Sequence, residues 1–514
     1  MGSEMCIRDS PFIVVCQKLV RKLWRMTATT DTSTTAGKIG DLQQRLAETR
    51  TPVGEDAVRA THDAGHLTAR ERVESLLDEG SFVEIDALAR HRSTAFKLDK
   101  SRPVTDGVVS GHGTIDGRPV CVFSQDSSIF DGQLGEVTGE KIVKVVELAV
   151  KSGTPLIGFY DGLGARAKEG IVTLEMYSKI YRLQALASGV IPQIAIVAGE
   201  VAGSQAHGVA LSDVVIEVAG QGSVRLNLQD SSSSVSDAEE GLTHLTARDE
   251  HAALDLAADM LSYLPSNNRA VTPSADAKPA GDSIALDSAI PDADGAEFNM
   301  LDIISGVVDD SSLLELQPVF ARNALTAVAR INGNAVGIVA NQPTQNDAWL
   351  DTDSAEKIAR FIRFCNTFNL PLVTFVDAPG FISDAISLGA ARRTAKLLSA
   401  SADASVGKIT VIVRRAFGSA YLAMGAKRMG TDLVFAWPTA QISTDDAEAL
   451  SEVTGEDAQK MEQKLVNPYA AAERGLVDAV ISPSATRQQL IDGLRLLERK
   501  VEDGYHRKHN NMPL

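Results

Sequence analysis

Four cysteines in 514 residues, at positions 6, 16, 121 and 365, fall at no spacing used by a metal site or a disulfide framework. A reducing compartment, the cytoplasm, is therefore expected, with Cys121 and Cys365 as buried, inert thiols. Positive charge is also short. Lys and Arg number 50 against 67 Asp and Glu, a formal net charge of −17, which disfavours a general nucleic-acid or anionic-membrane binder. Long apolar runs are missing. Pro11 to Cys16 is too short for a signal peptide or a membrane span, so neither nucleic acid nor membrane is an expected partner. The common catalytic signatures are missing as well: there is no Gly-x-Ser-x-Gly, no phosphate loop ending in Gly-Lys-Ser, no dinucleotide fingerprint and no metal-ligand spacing. No resident metal is expected.

What is there, first, is a repeat. Ile115-Asp-Gly-Arg-Pro-Val, Gly139-Glu-Lys-Ile-Val-Lys-Val and Thr154-Pro-Leu-Ile-Gly-Phe-Tyr-Asp recur as Ile331-Asn-Gly-Asn-Ala-Val, Ala355-Glu-Lys-Ile-Ala-Arg-Phe and Leu370-Pro-Leu-Val-Thr-Phe-Val-Asp. Glu140 matches Glu356, Pro155 matches Pro371 and Asp161 matches Asp377, each pair 216 apart (331 minus 115 for the first). An in-register spine of this length predicts two similarly folded halves in tandem. The expected division is a non-native or disordered tail over 1–37, halves over 38–270 and 296–514, and a Pro-, Ser-, Ala- and Asp-rich linker over 271–295. The opening ten residues resemble a translated adapter, so Met26 is the expected native start.

The apolar periods predict α/β folding. Ile39, Leu42 and Leu46 place an amphipathic helix over 38–50, and Thr68 with Glu71 forms a capping box for another. Strands are expected at 82–85, 107–109, 120–124, 156–160, 193–198 and 214–218, with helices over 139–151 and 173–188 between them. The second half answers with helices over 354–366 and 391–400 and strands over 372–376 and 409–413. Alternating strand, glycine turn and helix describe crossover units that gather their turns at one sheet edge. Those turns are Gly162 to Ala165, Gly203-Ser204 and Gly418 to Ala420. N–H groups at a helix start lack internal acceptors, so a turn without bulky side chains can hold an anionic oxygen.

These residues carry a family resemblance. Asp161-Gly-Leu-Gly-Ala-Arg, Ser188-Gly-Val-Ile-Pro-Gln, Ala340-Asn-Gln-Pro, Asp377-Ala-Pro-Gly-Phe, Phe417-Gly-Ser-Ala-Tyr, Ala436-Trp-Pro-Thr-Ala and Asn467-Pro-Tyr-Ala-Ala-Ala-Glu-Arg-Gly follow one another as in the carboxyltransferase (beta) subunits of biotin-dependent acyl-CoA carboxylases. The actinobacterial propionyl-CoA type is similar over about residues 38 to 514. The resemblance implies two crotonase-like halves built of ββα units, a ring-shaped hexamer and an active site across a dimer interface. It implies transfer of a carboxyl group from carboxybiotin to the α-carbon of an acyl-CoA, with one oxyanion hole for the thioester enolate and one for the biotin ureido oxygen. By position, Leu163 and Gly164 supply one pair of N–H groups, and Ser419 and Ala420 the other. Gly162, Ala165, Arg166, Gly203 and Gly418 fall where substrate binds, and Leu422 falls where the acyl chain is chosen. The chain carries neither an Ala-Met-Lys-Met biotin site nor an ATP-binding domain, so a biotinylated biotin-carboxylase (alpha) subunit and sister beta subunits, in a homo- or hetero-hexamer, are the implied partners.

The sequence departs from that family in places. Leu163 and Ser419 stand where glycines are usual, Ile382-Ser-Asp-Ala-Ile-Ser-Leu replaces a Pro-Gly-rich loop carrying an acid, and Gln229-Asp-Ser-Ser-Ser-Ser replaces a Gly-Pro-Asp turn. Ser443 to Glu462 carries seven acidic residues against Lys460, read as charged helix on an outer face. Several altered loops together motivate an alternative: a catalytically degenerate paralogue serving as a structural or regulatory subunit of a mixed hexamer. A crotonase-type hydratase lacks a glutamate pair beside the turns, and a decarboxylase relative would need a membrane partner.

Overall fold

The computed structural model describes residues 32–227, 236–281, 284–293, 296–382, 389–502 and 511. In the first half, eight strands form one sheet: β1 (Val83–Glu84), β2 (Val108–Ile115), β3 (Arg118–Gln125), β4 (Leu156–Gly162), β5 (Gln193–Ala202), β6 (Val214–Val218), β7 (Ser223–Arg225) and β8 (Leu245–Ala247). They run in the order β1-β2-β3-β4-β5-β6-β8, with β7 beside β5. The second half forms β9 (Leu314–Leu316), β10 (Ala324–Ile331), β11 (Asn334–Asn341), β12 (Leu372–Ala378), β13 (Lys408–Phe417), β14 (Leu433–Ala436), β15 (Gln441–Ser443) and β16 (Ala479–Val480). Their order, β9-β10-β11-β12-β13-β14-β16 with β15 beside β13, repeats the first sheet strand for strand. The register slips at equivalent points too, between Tyr160 and Gly162 and between Val376 and Ala378.

The parallel strands are joined by helices with one apolar face. Glu136–Ser152 and Val172–Ala187 connect β3 to β4 and β4 to β5; Thr352–Thr367 and Ala390–Asp403 do so in the second half. Each first connecting helix carries a buried lysine, Lys141 and Lys357, 216 apart. Lys141 Nζ donates to the carbonyls of Thr105 (3.0 Å) and Val108 (2.5 Å), and Lys357 Nζ to those of Gln317, Phe320 and Ala324 (2.8, 2.9 and 2.8 Å). Burial pushes both ammoniums down to about 8, and the carbonyl cages supply the acceptors that a buried cation requires. They fix the entry loop of each sheet.

The halves share an apolar core that includes Val218, Leu245 and Leu261 from the first and Leu316, Ala324 and Phe361 from the second. Polar contacts pin the seam: Tyr263 Oη donates to Ser312 O (2.7 Å), Arg330 Nη2 to Ser262 O (2.7 Å) and Arg360 Nη2 to Ser212 O (2.9 Å).

Most expected elements are present with longer ends, and the Thr68–Glu71 capping box opens the Ala69–Leu76 helix. The strand expected at 107–109 runs to Ile115. Gly111 and Gly113 make room there for the β1 backbone and for Leu77, so the strand lacks the continuous apolar run of strands such as β4. Within the stretch expected as linker, Leu286 is buried in the second core, and Ala275 N donates to Gly333 O at 2.9 Å. Cys121 and Cys365 are buried free thiols that burial pushes up. Residues 1–31, which include Cys6, Cys16 and Met26, lie outside the described residues.

Candidate active site

Ligands of open α/β sheets sit beyond the carboxyl ends of the parallel strands, and the expected turns lie there. β4 ends in Asp161-Gly162. The Asp161 N–H donates to Gln125 Oε1 (3.0 Å), and its carboxylate accepts from Arg72 Nη1 (2.9 Å) and Ser127 Oγ (3.0 Å). Burial works hardest against the Arg72 charge, but Glu250 (2.7 Å) and Asp161 more than offset it and raise the guanidinium above its ordinary value. Gly162 is interlocked with Gly132: a Cβ on Gly162 would stand 2.2 Å from the Gly132 carbonyl, and one on Gly132 2.0 Å from that of Asp161. The turn continues through Gly164, with φ +76°, whose carbonyl accepts from Leu134 N (2.8 Å). Gly203 packs on it; a Cβ there would be 3.8 Å from Gly164 Cα.

Both N–H groups expected to be free in this turn are engaged. Leu163 N donates to Asp131 O, and Gly164 N to Gln205 Oε1, each at 3.1 Å. The Leu163 bond is backbone to backbone. The Gly164 bond ends on a side chain.

The second turn is built on the same plan with different anchors. The Asp377 N–H donates to Asn341 Oδ1 (3.3 Å), and Asn341 is 216 after Gln125. Burial disfavours the Asp377 charge most, yet Arg415 (2.9 Å) and Arg414 (2.7 Å) hold its carboxyl below the usual carboxylate range. Beyond β13, Gly418 (φ +51°) turns the chain into the Gly418–Ala423 helix. Phe417 caps that helix without a side-chain acceptor, so the N–H groups of Ser419 and Ala420 in its first turn have no intrahelical carbonyl. Ser419 is exposed, Ala420 buried, and Leu422, 47 % exposed, stands one turn on.

The structure therefore brings Gly162, Leu163, Gly164, Ala165 and Gly203 together at one turn, and Gly418, Ser419, Ala420 and Leu422 at the other. The Arg166 side chain is 2 % exposed and committed to Asp106 (2.9 Å) and Glu169 (2.8 Å), with its guanidinium 4.3 Å over the Phe130 ring. The acidic segment forms the helices Ala447–Thr454, without a buried residue, and Ala458–Lys464, which buries only Met461. Of the altered loops, residues 229–234 and 383–388 lie outside the described residues. Sequence reasoning missed Gln205 and the Arg414–Arg415 clamp. The signal for Gln205 was available in the repeat, because it falls 215 before Ala420 (420 minus 205).

Comparison with known proteins places this geometry. The carboxyl transferase domain family matches residues 60–228 and 232–512. The beta5 subunit of a biotin-dependent acetyl-/propionyl-coenzyme A carboxylase from Mycobacterium tuberculosis is 47% identical, over 95% of this chain and 97% of its own length. A propionyl-CoA carboxylase beta chain from Saccharopolyspora erythraea is 43% identical, over 94% and 97%. The crystal structure of the hexameric transcarboxylase 12S core, with methylmalonyl-coenzyme A and methylmalonic acid bound, superposes with a TM-score of 0.90 at 36% identity, covering 94% of this chain and 99% of that one. None of these supports the reading as a degenerate paralogue. With its two like sheets and their paired glycine turns, this chain belongs to the carboxyl transferase family, among the carboxyltransferase subunits of acyl-CoA carboxylases.

Proposed function

We propose that the chain moves a carboxyl group from carboxybiotin to the α-carbon of a short acyl-CoA, acetyl or propionyl, as the first half of the names of its relatives indicates. Carboxybiotin arrives on a biotinylated biotin-carboxylase subunit and supplies the one-carbon unit. The chain's own contribution is electrostatic. Charge builds on the thioester oxygen as the α-carbon gives up its proton, for which the ureido nitrogen left by the departing carboxyl group would be the acceptor, and pre-aimed N–H groups stabilise it without reorganising. The observation that carries the reading is the first turn of the Gly418–Ala423 helix, where Ser419 and Ala420 present N–H groups that no side chain caps among the described residues. Leu422, on the same helix and half exposed, sits where an acyl chain would lie. We assign assembly to a hexamer by analogy with the transcarboxylase core, and propose that it works in the cytoplasm with its site completed across a subunit interface.

Ser419→Pro tests this. Proline is tolerated in the first turn of a helix, where its missing N–H had no internal partner, so the fold survives while one donor is lost. With biotinylated partner and propionyl-CoA, kcat should fall about 10²- to 10³-fold, the effect of removing one oxyanion donor. Turnover unchanged by the substitution would remove this turn from the mechanism.

A further inference from the structure

The two turns differ in one atom-level respect. In the second half, position 420 is alanine and has no side-chain acceptor to offer the neighbouring turn. In the first half, the equivalent Gln205 reaches back, and its Oε1 takes the Gly164 N–H at 3.1 Å. Gly164 can only donate there, so the oxygen end of the carboxamide must face it. The other end is stranded: Gln205 is 2 % exposed and its Nε2 has no hydrogen-bond partner among the described residues. A buried donor left unpaired costs more than a typical hydrogen bond gains on balance. The carboxamide is therefore held at the turn by that one hydrogen bond, which an incoming oxygen has to displace. Leu163, by contrast, is tied to the Asp131 carbonyl by a backbone bond that no side-chain rotation releases.

We propose that Gln205 is an affinity-setting residue of the first turn: its carboxamide oxygen occupies the Gly164 N–H in place of a ligand oxygen, and must swing aside before that N–H can hold a thioester or ureido oxygen. The proposal rests on the carboxyltransferase reading above, because it takes the turn to be an oxyanion site. It assigns Gly164 as the one N–H of the expected Leu163–Gly164 pair that can be opened. Displacement taxes ground state and transition state alike, so the effect falls on KM and binding and not on kcat.

Gln205→Ala removes the internal competitor, and alanine at the equivalent Ala420 already begins a helix in this fold. Calorimetric titration of the full protein with propionyl-CoA and, separately, with free biotin gives the readout. One of the two should bind about two- to tenfold more tightly to the variant, the worth of one net hydrogen bond. Tightening of propionyl-CoA assigns the turn to the thioester oxygen, and tightening of biotin assigns it to the ureido oxygen. Should the alanine variant melt early, Gln205→Asn, one methylene too short to reach, replaces it with the same expectation. Binding of both ligands unchanged or weakened, at unchanged melting temperature, overturns the proposal. Such a result together with a strong loss in Ser419→Pro would leave the carboxyltransferase reading standing, whereas full turnover in Ser419→Pro would sink that reading by itself.

Discussion

A guanidinium buried between two carboxylates and an aromatic ring cannot meet a substrate phosphate without abandoning all three. Arg166 is in that position, with Asp106 wholly buried and Glu169 nearly so. Removing one partner of a buried ion pair leaves the other charge uncompensated, at a cost of about 3–5 kcal/mol. Arg166→Met should therefore lower the melting temperature steeply, and Arg166→Lys should do so less, since lysine keeps the charge and loses the fork. A ligand-binding role predicts the opposite pattern, a raised KM for acyl-CoA at unchanged stability. Thermal melts and steady-state kinetics on both variants separate the two. The residue also illustrates what the sequence conceals at this scale. Asp161-Gly-Leu-Gly-Ala-Arg marks a turn correctly, but whether its arginine points forward or back depends on Asp106, sixty residues earlier in the chain. The same holds for Leu163 and Gly164, whose N–H groups are engaged by Asp131 and Gln205.

At the scale of elements, the seam between the halves carries two titratable groups strongly displaced by burial. His244, in the stretch leading into β8, accepts from Val215 N through Nδ1 (3.1 Å), which requires a neutral ring, and its carbonyl accepts from Gln317 N of the second half (2.8 Å). Burial, with the Arg360 cation beside it, pushes His244 down to about 3 from an ordinary 6.5. Below pH 6.5 the unfolded chain takes a proton that the folded ring refuses until about 3, so this group's contribution to stability declines as pH falls between those values, by about 1.4 kcal/mol per pH unit. Asp213, pushed up to about 7 by burial, works in the opposite sense below that pH, because its folded form binds the proton first. The informative quantity is thus the difference between wild type and His244→Asn, whose Oδ1 can replace the Nδ1 acceptor. That difference in melting temperature should shift in favour of the variant from pH 6.5 to pH 5, and a constant difference would show that the ring is not neutral at the seam. The elements themselves were largely legible, because short apolar runs mark buried strands such as Val120 to Ser124 and an apolar period of 3.6 residues marks helices such as 139–151. The β2 extension was not, since its glycines replace apolar contact with backbone approach. The packed stretch around Leu286 was not, since composition alone reads Pro and Ser as solvent-facing.

For the whole molecule, the question is what covers its remaining apolar surface. The Thr35–Glu48 helix turns Ile39, Leu42 and Leu46 outward, 52, 47 and 44 % exposed, at the spacing of one helical stripe. Ile171 and Leu174, at the entrance to the Val172–Ala187 helix, are 76 and 48 % exposed. Single exposed apolar side chains are ordinary on a protein surface. A stripe repeated at three, four and seven residues is not, because an amphipathic helix forms to bury that stripe. The described residues of its own chain do not bury it, and a net charge of −17 opposes casual association between copies. A specific partner surface with apolar residues of its own would resolve both facts, and a second copy in an assembly such as the hexamer of the transcarboxylase core would supply one. Leu42→Glu combined with Leu46→Glu places two more negative charges in that contact without touching either sheet. Sedimentation should then show wild type as a multi-subunit assembly and the double variant as smaller species with unchanged circular dichroism. Carboxyl transfer should fall with the assembly if the site is completed between copies. A wild-type chain that sediments as a single copy, or a double variant that assembles normally, would exclude this helix as the contact.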